Sequence, residues 1–441
     1  MKSAAAIVFN IKIPVDYLRF VLLILALSTA FARAQFFNDF DQPPHDYWTA
    51  KMNDPMTRLL AEVDKGEKVI SEEPGLPLVR RLLKELSIPV ESQVLVFSRT
   101  SLQRGNVTPA NPRAIFFNED TYLGWMPEGR IEIASSDPKR GSVFFFQRQL
   151  DDRRGKLFVR DRVCIQCHAG SATNFLPGLL ARSVYPDARG RSLRAVDSFD
   201  RVGHHVPLGD RWGGWYVTGG HDALQHMGNA IASRNEGELK LIRNDAVHQA
   251  GLGDVFDVSK YPVPTSDVAA LLVLDHQVSM HFKLMEAAYI ARQAIHDATQ
   301  AGKRGGIDSQ ESVIKALNLA ARQVVNHLLF ADEATIGGES TRGNGVFVKS
   351  FLSRRVADSK GRALRDFDLK DRMFRYRCSY MIHSRSFSGL PKALKQSIFR
   401  RLHEILASQT PLKDYDYFVP GERSAILEIL GDTLPGFKDA L

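Results

Sequence analysis

Cysteine is scarce in this chain, three residues in 441, and that is too few for a disulfide framework. Long apolar runs are missing beyond the N-terminus. None there reaches the ~18 uncharged residues that spanning a bilayer takes, which excludes a polytopic membrane protein. There is no internal repeat of fixed period and no low-complexity tract. At 44% hydrophobic and 24% charged residues, the composition is close to the globular average, so disordered, collagen-like and coiled-coil classes are out. What remains is a chain long enough for a sizeable core, with length over about 150 giving a loose prior of two or three folding units.

The N-terminus sets the expected compartment. Lys2, Lys12 and Arg19 precede the apolar run Phe20–Leu27, which continues through Ser28 and Thr29 to Phe31. Ala32-Arg33-Ala34 follows, with small residues at the two positions a signal peptidase reads. The pattern predicts a signal peptide over 1–34 and a periplasmic or secreted protein with no stable membrane span after cleavage. The alternative is an uncleaved anchor, although the apolar core is shorter than the ~20 residues of a span. Without 1–34 the chain carries 54 basic and 49 acidic residues, net +5. Those basic residues are scattered rather than clustered, so no nucleic acid is expected as a partner.

Four stretches follow from patterning. Residues 35–160 form a β-rich N-terminal region. Its first part holds one helix, Leu78–Leu86, with Val79, Leu82, Leu83 and Leu86 on one face. Short strands then run over Val94–Phe97, Ala114–Phe117, Tyr122–Trp125, Ile131–Ala134, Val143–Phe146 and Leu157–Val159, separated by turn formers such as Asn111-Pro112 and Asp137-Pro138. Residues 161–265 are rich in Gly, His and Trp and weakly periodic, an irregular segment. Residues 266–441 read as helices: Ser266 to about Gln300, Asp308 to about Phe330, Lys392–Ala407 and Ser424–Leu430. Ser266-Asp267 can cap the first of these, Asp308 with Glu311 resembles a capping box, and Pro391 suits the first turn of the third. The expected fold class is α+β, with the helical region packed on the central one.

The chemistry is concentrated in Cys164-Ile165-Gln166-Cys167-His168, a C-x-x-C-H sequence of the kind that attaches c-type haem. Two thiols three positions apart can each add to a porphyrin vinyl group, and the adjoining imidazole then supplies the proximal axial ligand. With three Cys and thirteen His in the chain, chance produces such a pentapeptide with a probability on the order of 10⁻³. Three other readings exist: a Cys164–Cys167 disulfide, a thioredoxin-like dithiol, and a zinc site, for which a second Cys or His pair would be needed while the remaining cysteine is the lone Cys378.

On these residues the chain resembles a c-type cytochrome. With the stretches Pro112–Asn118, Ser183–Asp187 and Arg211–Thr218, it is similar to a family of long, secreted bacterial proteins that carry a single haem-attachment site and to which no reaction is assigned. The resemblance implies one covalently attached haem c, with Cys164 and Cys167 as thioether anchors and His168 as proximal iron ligand. Size departs from small cytochromes c, since about 100 residues normally suffice for a domain.

The sixth coordination position separates function classes, because a strong ligand gives a sealed electron carrier and an open position permits small-ligand chemistry. Met227 is the first candidate distal ligand; His226 and His221 are the alternatives, with His204 and His205 in the same region. The rings of Trp212, Trp215 and Tyr216 are expected to wall the haem pocket. On the helix from Ser266, His276 and Met280 share a face while His281 points elsewhere. His276 or His281 either reaches the distal side, forms an accessory metal site, or is a satisfied core histidine. Cys378 is expected to pack as a small apolar group. Arg153, Arg154, Arg160, Arg162, Arg182 and Arg189 flank the motif, and one or two of them can pair with haem propionates. The expected function is single-electron transfer with redox partner proteins; the alternative is a haem enzyme of peroxidase-like or small-ligand chemistry with an open distal site.

Overall fold

Alternation along the front strands is what organises the molecule. A computed structural model describes residues 40–70, 73–148, 156–195, 202–219, 225–235, 238–244, 247, 251–303, 309–336, 343, 345–410 and 412–440. The expected signal segment, Arg153, Arg154, His221 and Asp308 lie outside the described residues.

The strands are β1 (Val94–Val96), β2 (Arg113–Phe117), β3 (Thr121–Trp125), β4 (Glu132–Asp137), β5 (Gly141–Gln147), β6 (Phe158–Arg160), β7 (Val184–Pro186), β8 (Ser192–Ala195), β9 (Trp215–Tyr216), β10 (Ala230–Asn235) and β11 (Glu238–Arg243). Seven of them form one sheet in the order β6-β5-β4-β3-β2-β1-β9. Every neighbouring pair in it is antiparallel. The strands β1 to β6 form a meander, with tight turns at β2–β3 and β4–β5, and β9 arrives from the Gly- and Trp-rich segment to pair with Leu95 and Val96. The strands β7–β8 and β10–β11 make two separate pairs.

Because side chains alternate across a strand, this sheet buries both faces. One face sends Leu95, Phe97, Ala114, Phe116, Leu123, Trp125, Ile133, Val143 and Phe145 into a core closed by α1 (Pro55–Asp64) and α2 (Leu76–Glu85). The other sends Val94, Val96, Phe117 and Tyr122 into a core shared with the C-terminal helices. Asp54 caps α1, accepting a bond from Thr57 N at 3.0 Å, with Pro55 at the first helical position.

The fold is α+β. After the short α3 (Arg162–His168), the helical half comprises α4 (Val268–Lys303), α5 (Ser309–Leu328), α6 (Gly345–Leu352), α7 (Arg385–Ser388), α8 (Lys392–Leu406) and α9 (Glu422–Thr433). Seven successive residues at the start of α4, Val268 to Leu274, are buried, which makes it a central helix rather than an amphipathic surface one. Asp267 caps it, taking bonds from Ala269 N and Ala270 N. Ser266 instead ties it to the sheet, donating to Tyr216 O at 2.6 Å and accepting from Leu95 N at 2.9 Å. Pro391 stands at the N-cap of α8, one residue before the first turn.

All six expected strands and all five expected helices are present, with ends displaced by up to three residues. The segment 161–265 departs from its irregular reading, since it holds α3 and β7 to β11. No helix among the described residues is long and apolar enough to cross a membrane.

Candidate functional site

Helical winding gathers the motif. Asp161 caps α3 by accepting from Val163 N at 2.9 Å. Residues i, i+3 and i+4 of a helix share one face, so Cys164, Cys167 and His168 all line the same cleft. That cleft holds a cavity of about 160 Å³ and opens to solvent. It lies between the second face of the sheet and α4. Val96, Ile115, Gly124, Ala134 and Phe144 form one wall, Leu274 and Val278 of α4 another, and Leu179 to Arg182 the rim.

His168 is held in a two-way clasp. Its Nδ1 meets Gly178 O at 2.9 Å, while Gly178 N donates to His168 O at 2.8 Å. With Nδ1–H spent on the carbonyl, Nε2 keeps its lone pair. An imidazole that binds a metal is oriented by this kind of bond from its other nitrogen. Phe144 packs on the ring, centroids 4.2 Å apart. Burial pushes the His168 pKa down to about 4, so the ring stays neutral at ordinary pH.

The thiols argue against the other readings of the motif. All three cysteines are free, so Cys164 and Cys167 form no disulfide. Burial pushes the Cys164 thiol up to about 11, whereas a reactive dithiol needs a lowered value. Among the described residues neither cysteine belongs to a cluster of metal ligands.

Sheet register supplies the polar contribution. Glu132 stands opposite Gly124, and Gly124 opposite Ile115. Arg113, on the same face of β2, pairs with Glu132 across the missing side chain of Gly124. A Cβ at Gly124 would run into the Arg113 guanidinium. Arg182 lines the cleft, its carbonyl accepting from Trp215 Nε1 at 2.8 Å. Of the other flanking arginines, Arg160 and Arg162 lie over the Trp48 ring, each 4.7 Å from its centroid, and Arg189 is exposed. Two thiols and a neutral imidazole on one helix face, mainly apolar walls and the Arg182 guanidinium fit a covalently held haem, with the Arg113 charge already matched by Glu132.

The candidate distal ligands are placed elsewhere. Trp215 lines the cleft, but Trp212 donates its Nε1 to Asp275 at 2.9 Å. Met227 is buried, its backbone N bonded to Arg211 O, and it is not among the residues of the cleft wall. Nor is His226, whose ring packs beside Trp212 with Nδ1 accepting from Gly228 N at 3.0 Å. Among the described lining residues His168 is the one imidazole, and there is no methionine. His281 is a satisfied core histidine, on Glu119 O at 2.8 Å and Ser386 Oγ at 3.1 Å. His276 instead joins His204 and His327. Cys378 is fully buried, with its thiol pushed up by burial.

Sequence reading missed Arg113, Gly124 and Glu132. Their spacing shows which strand face each occupies, but only the pairing register brings them together. Compared with protein-family models, with curated proteins and with solved structures, the chain matches none.

Proposed function

We propose that the chain is an exported mono-haem c-type cytochrome, periplasmic or secreted, that exchanges single electrons with redox partner proteins. The observation that carries this reading is that Cys164, Cys167 and His168 line one mainly apolar cleft together with Arg113 and Arg182. Cys164 and Cys167 would hold the porphyrin edge by thioethers, and His168 would ligate the iron. Bound there, the haem supplies reversible one-electron chemistry, its potential set by axial ligation, burial and hydrogen bonding. Gly178 O fixes the imidazole's tautomer and orientation. The hydrocarbon walls exclude water, and the Arg182 guanidinium would offset one propionate charge that burial would otherwise penalise, Arg113 being matched by Glu132.

A second reading, small-ligand or peroxidase-like chemistry, is favoured by one feature: the described cleft wall offers iron a single protein ligand. The visible spectrum of the purified protein separates the two. A low-spin iron with a ~695 nm band that ignores CO supports a Met-ligated carrier; a high-spin iron that takes up CO or cyanide supports the open site. For either reading, Cys164→Ser with Cys167→Ser is expected to release all pigment into acid acetone while the parent protein releases none.

A further inference from the structure

We propose that His204, His276 and His327 form a buried tris-imidazole site for a zinc-class divalent metal ion, on the opposite side of α4 from the cleft. Leu274 and Val278 of α4 face the cleft. His276, two positions from each, therefore points away from it. There it meets His327 from the last turn of α5 and His204 from the 202–206 segment. One ring nitrogen from each of the three lies within 4.8 Å of the other two. His204 Nδ1 and His276 Nδ1 are 3.0 Å apart. Two imidazole nitrogens about 2.0–2.1 Å from one zinc stand roughly 3.3 Å apart at the tetrahedral angle, so this pair is already near ligand spacing and His327 closes by on the order of 1 Å.

The surroundings are those of ligands rather than of isolated core histidines. The outward nitrogen of two rings is held by a serine: His276 Nε2 by Ser379 Oγ at 2.7 Å, and His327 Nε2 by Ser279 Oγ at 2.8 Å. Such bonds fix tautomer and orientation in metal sites. His204 is 1% exposed; its Nδ1 shares one hydrogen bond with His276 Nδ1, and its Nε2 has no hydrogen-bond partner among the described residues. A cation bound on the Nδ1 side would replace the His204–His276 bond.

Neutral imidazole is the form a metal binds. The carbonyl of His204 is held from two sides. Arg211 Nη2 donates to His204 O at 2.8 Å and its Nη1 lies 3.9 Å from Asp275 Oδ2. Ala334 N, beside Glu333, donates to His204 O at 2.9 Å. Three imidazoles with no carboxylate or thiolate in the group suit zinc, with a fourth position left for water.

The test uses the haem-loaded full-length protein, stripped with EDTA, loaded with zinc chloride and freed of excess metal. Elemental analysis is expected to give one zinc per chain, and Tm should rise with free zinc as mass action requires. His204→Gln and His327→Gln should each abolish retention, and Ser379→Ala should weaken it about 10–100-fold. Cys164→Ser with Cys167→Ser should still hold one zinc, which separates this site from the cleft thiols. Because buried histidine variants can fail to fold, zinc-edge X-ray absorption on the unmutated protein gives a second readout: a first shell of three imidazoles is expected. No zinc on the unmutated protein, zinc retained by the histidine variants, or a shell of sulfur or oxygen alone would overturn the proposal.

Discussion

The two faces of the seven-stranded sheet are built on different terms. The face towards α1 and α2 is filled with large side chains, Phe116, Leu123, Trp125, Ile133 and Phe145, with Leu78, Leu82 and Leu83 laid into them. The opposite face carries Gly124 and Ala134 at mid-sheet, and a cleft stands over them. Protein interiors pack to crystal-like density. On the proposed reading, the cleft edged by two thiols and a clasped imidazole is where a haem would complete the packing. One face is finished by polypeptide; the other would be finished by the cofactor.

That contrast can be broken by substitution. The largest effect belongs to the packed face: Phe116→Ala should lower unfolding free energy by about 3–5 kcal/mol, read by denaturant titration, and should leave the pigment covalently attached to the fraction that folds. On the cleft face, Gly124→Leu fills the space used by the Arg113 guanidinium. It should cost about 1–3 kcal/mol yet sharply cut haem content per chain, measured by pyridine haemochrome. A loss of haem in Phe116→Ala equal to that in Gly124→Leu would erase the distinction between the faces.

Acid sharpens the same contrast at smaller amplitude. His45, stacked on Tyr289 of α4, and His281, within α4, are both pushed down to about 4, first by burial. Their folded pKa lies below the unfolded value of 6.5, so at pH above 6.5 they cost nothing. As pH falls from 6.5 towards 4, the unfolded chain takes up protons that the folded one refuses. Each group then removes up to about 1.4 kcal/mol per pH unit. Hydrogen exchange between pH 7 and 4 should show α4 amides losing protection before those of α2. The reverse order would contradict the placing of these two buried imidazoles on and against α4.

Much of this was legible in the residues. The meander strands declared themselves through alternation and turn formers, and α2 and α5 through helical spacing, because in both cases burial repeats with the period of the backbone. The motif itself was readable, since three side chains at i, i+3 and i+4 need only one turn of helix. What escaped depends on partners distant in sequence. The strand β9 is two residues long and exists because β1 offers an edge. The strands β10 and β11 are largely exposed and lack the apolar face that marks a strand. The helix α6, Gly-Val-Phe-Val-Lys-Ser-Phe-Leu, is rich in residues that favour strands, and packing of Phe347 and Phe351 overrides that preference. The helix α1 did carry a signal, Asp54-Pro55, a capping residue followed by proline. Proximity in sequence to the Trp cluster made Met227 the first choice as distal ligand, but Trp212 and Trp215 turn to different neighbours.

The central claim is that Cys164 and Cys167 hold a haem through carbon–sulfur bonds. Intact-mass measurement of the protein, exported from a host that matures c-type cytochromes and then denatured in acid, reads this directly. The account predicts a polypeptide heavier by one haem, with the added mass confined to the peptide containing Cys164 and Cys167. A protein at its bare polypeptide mass, or with pigment that separates on denaturation, would contradict it.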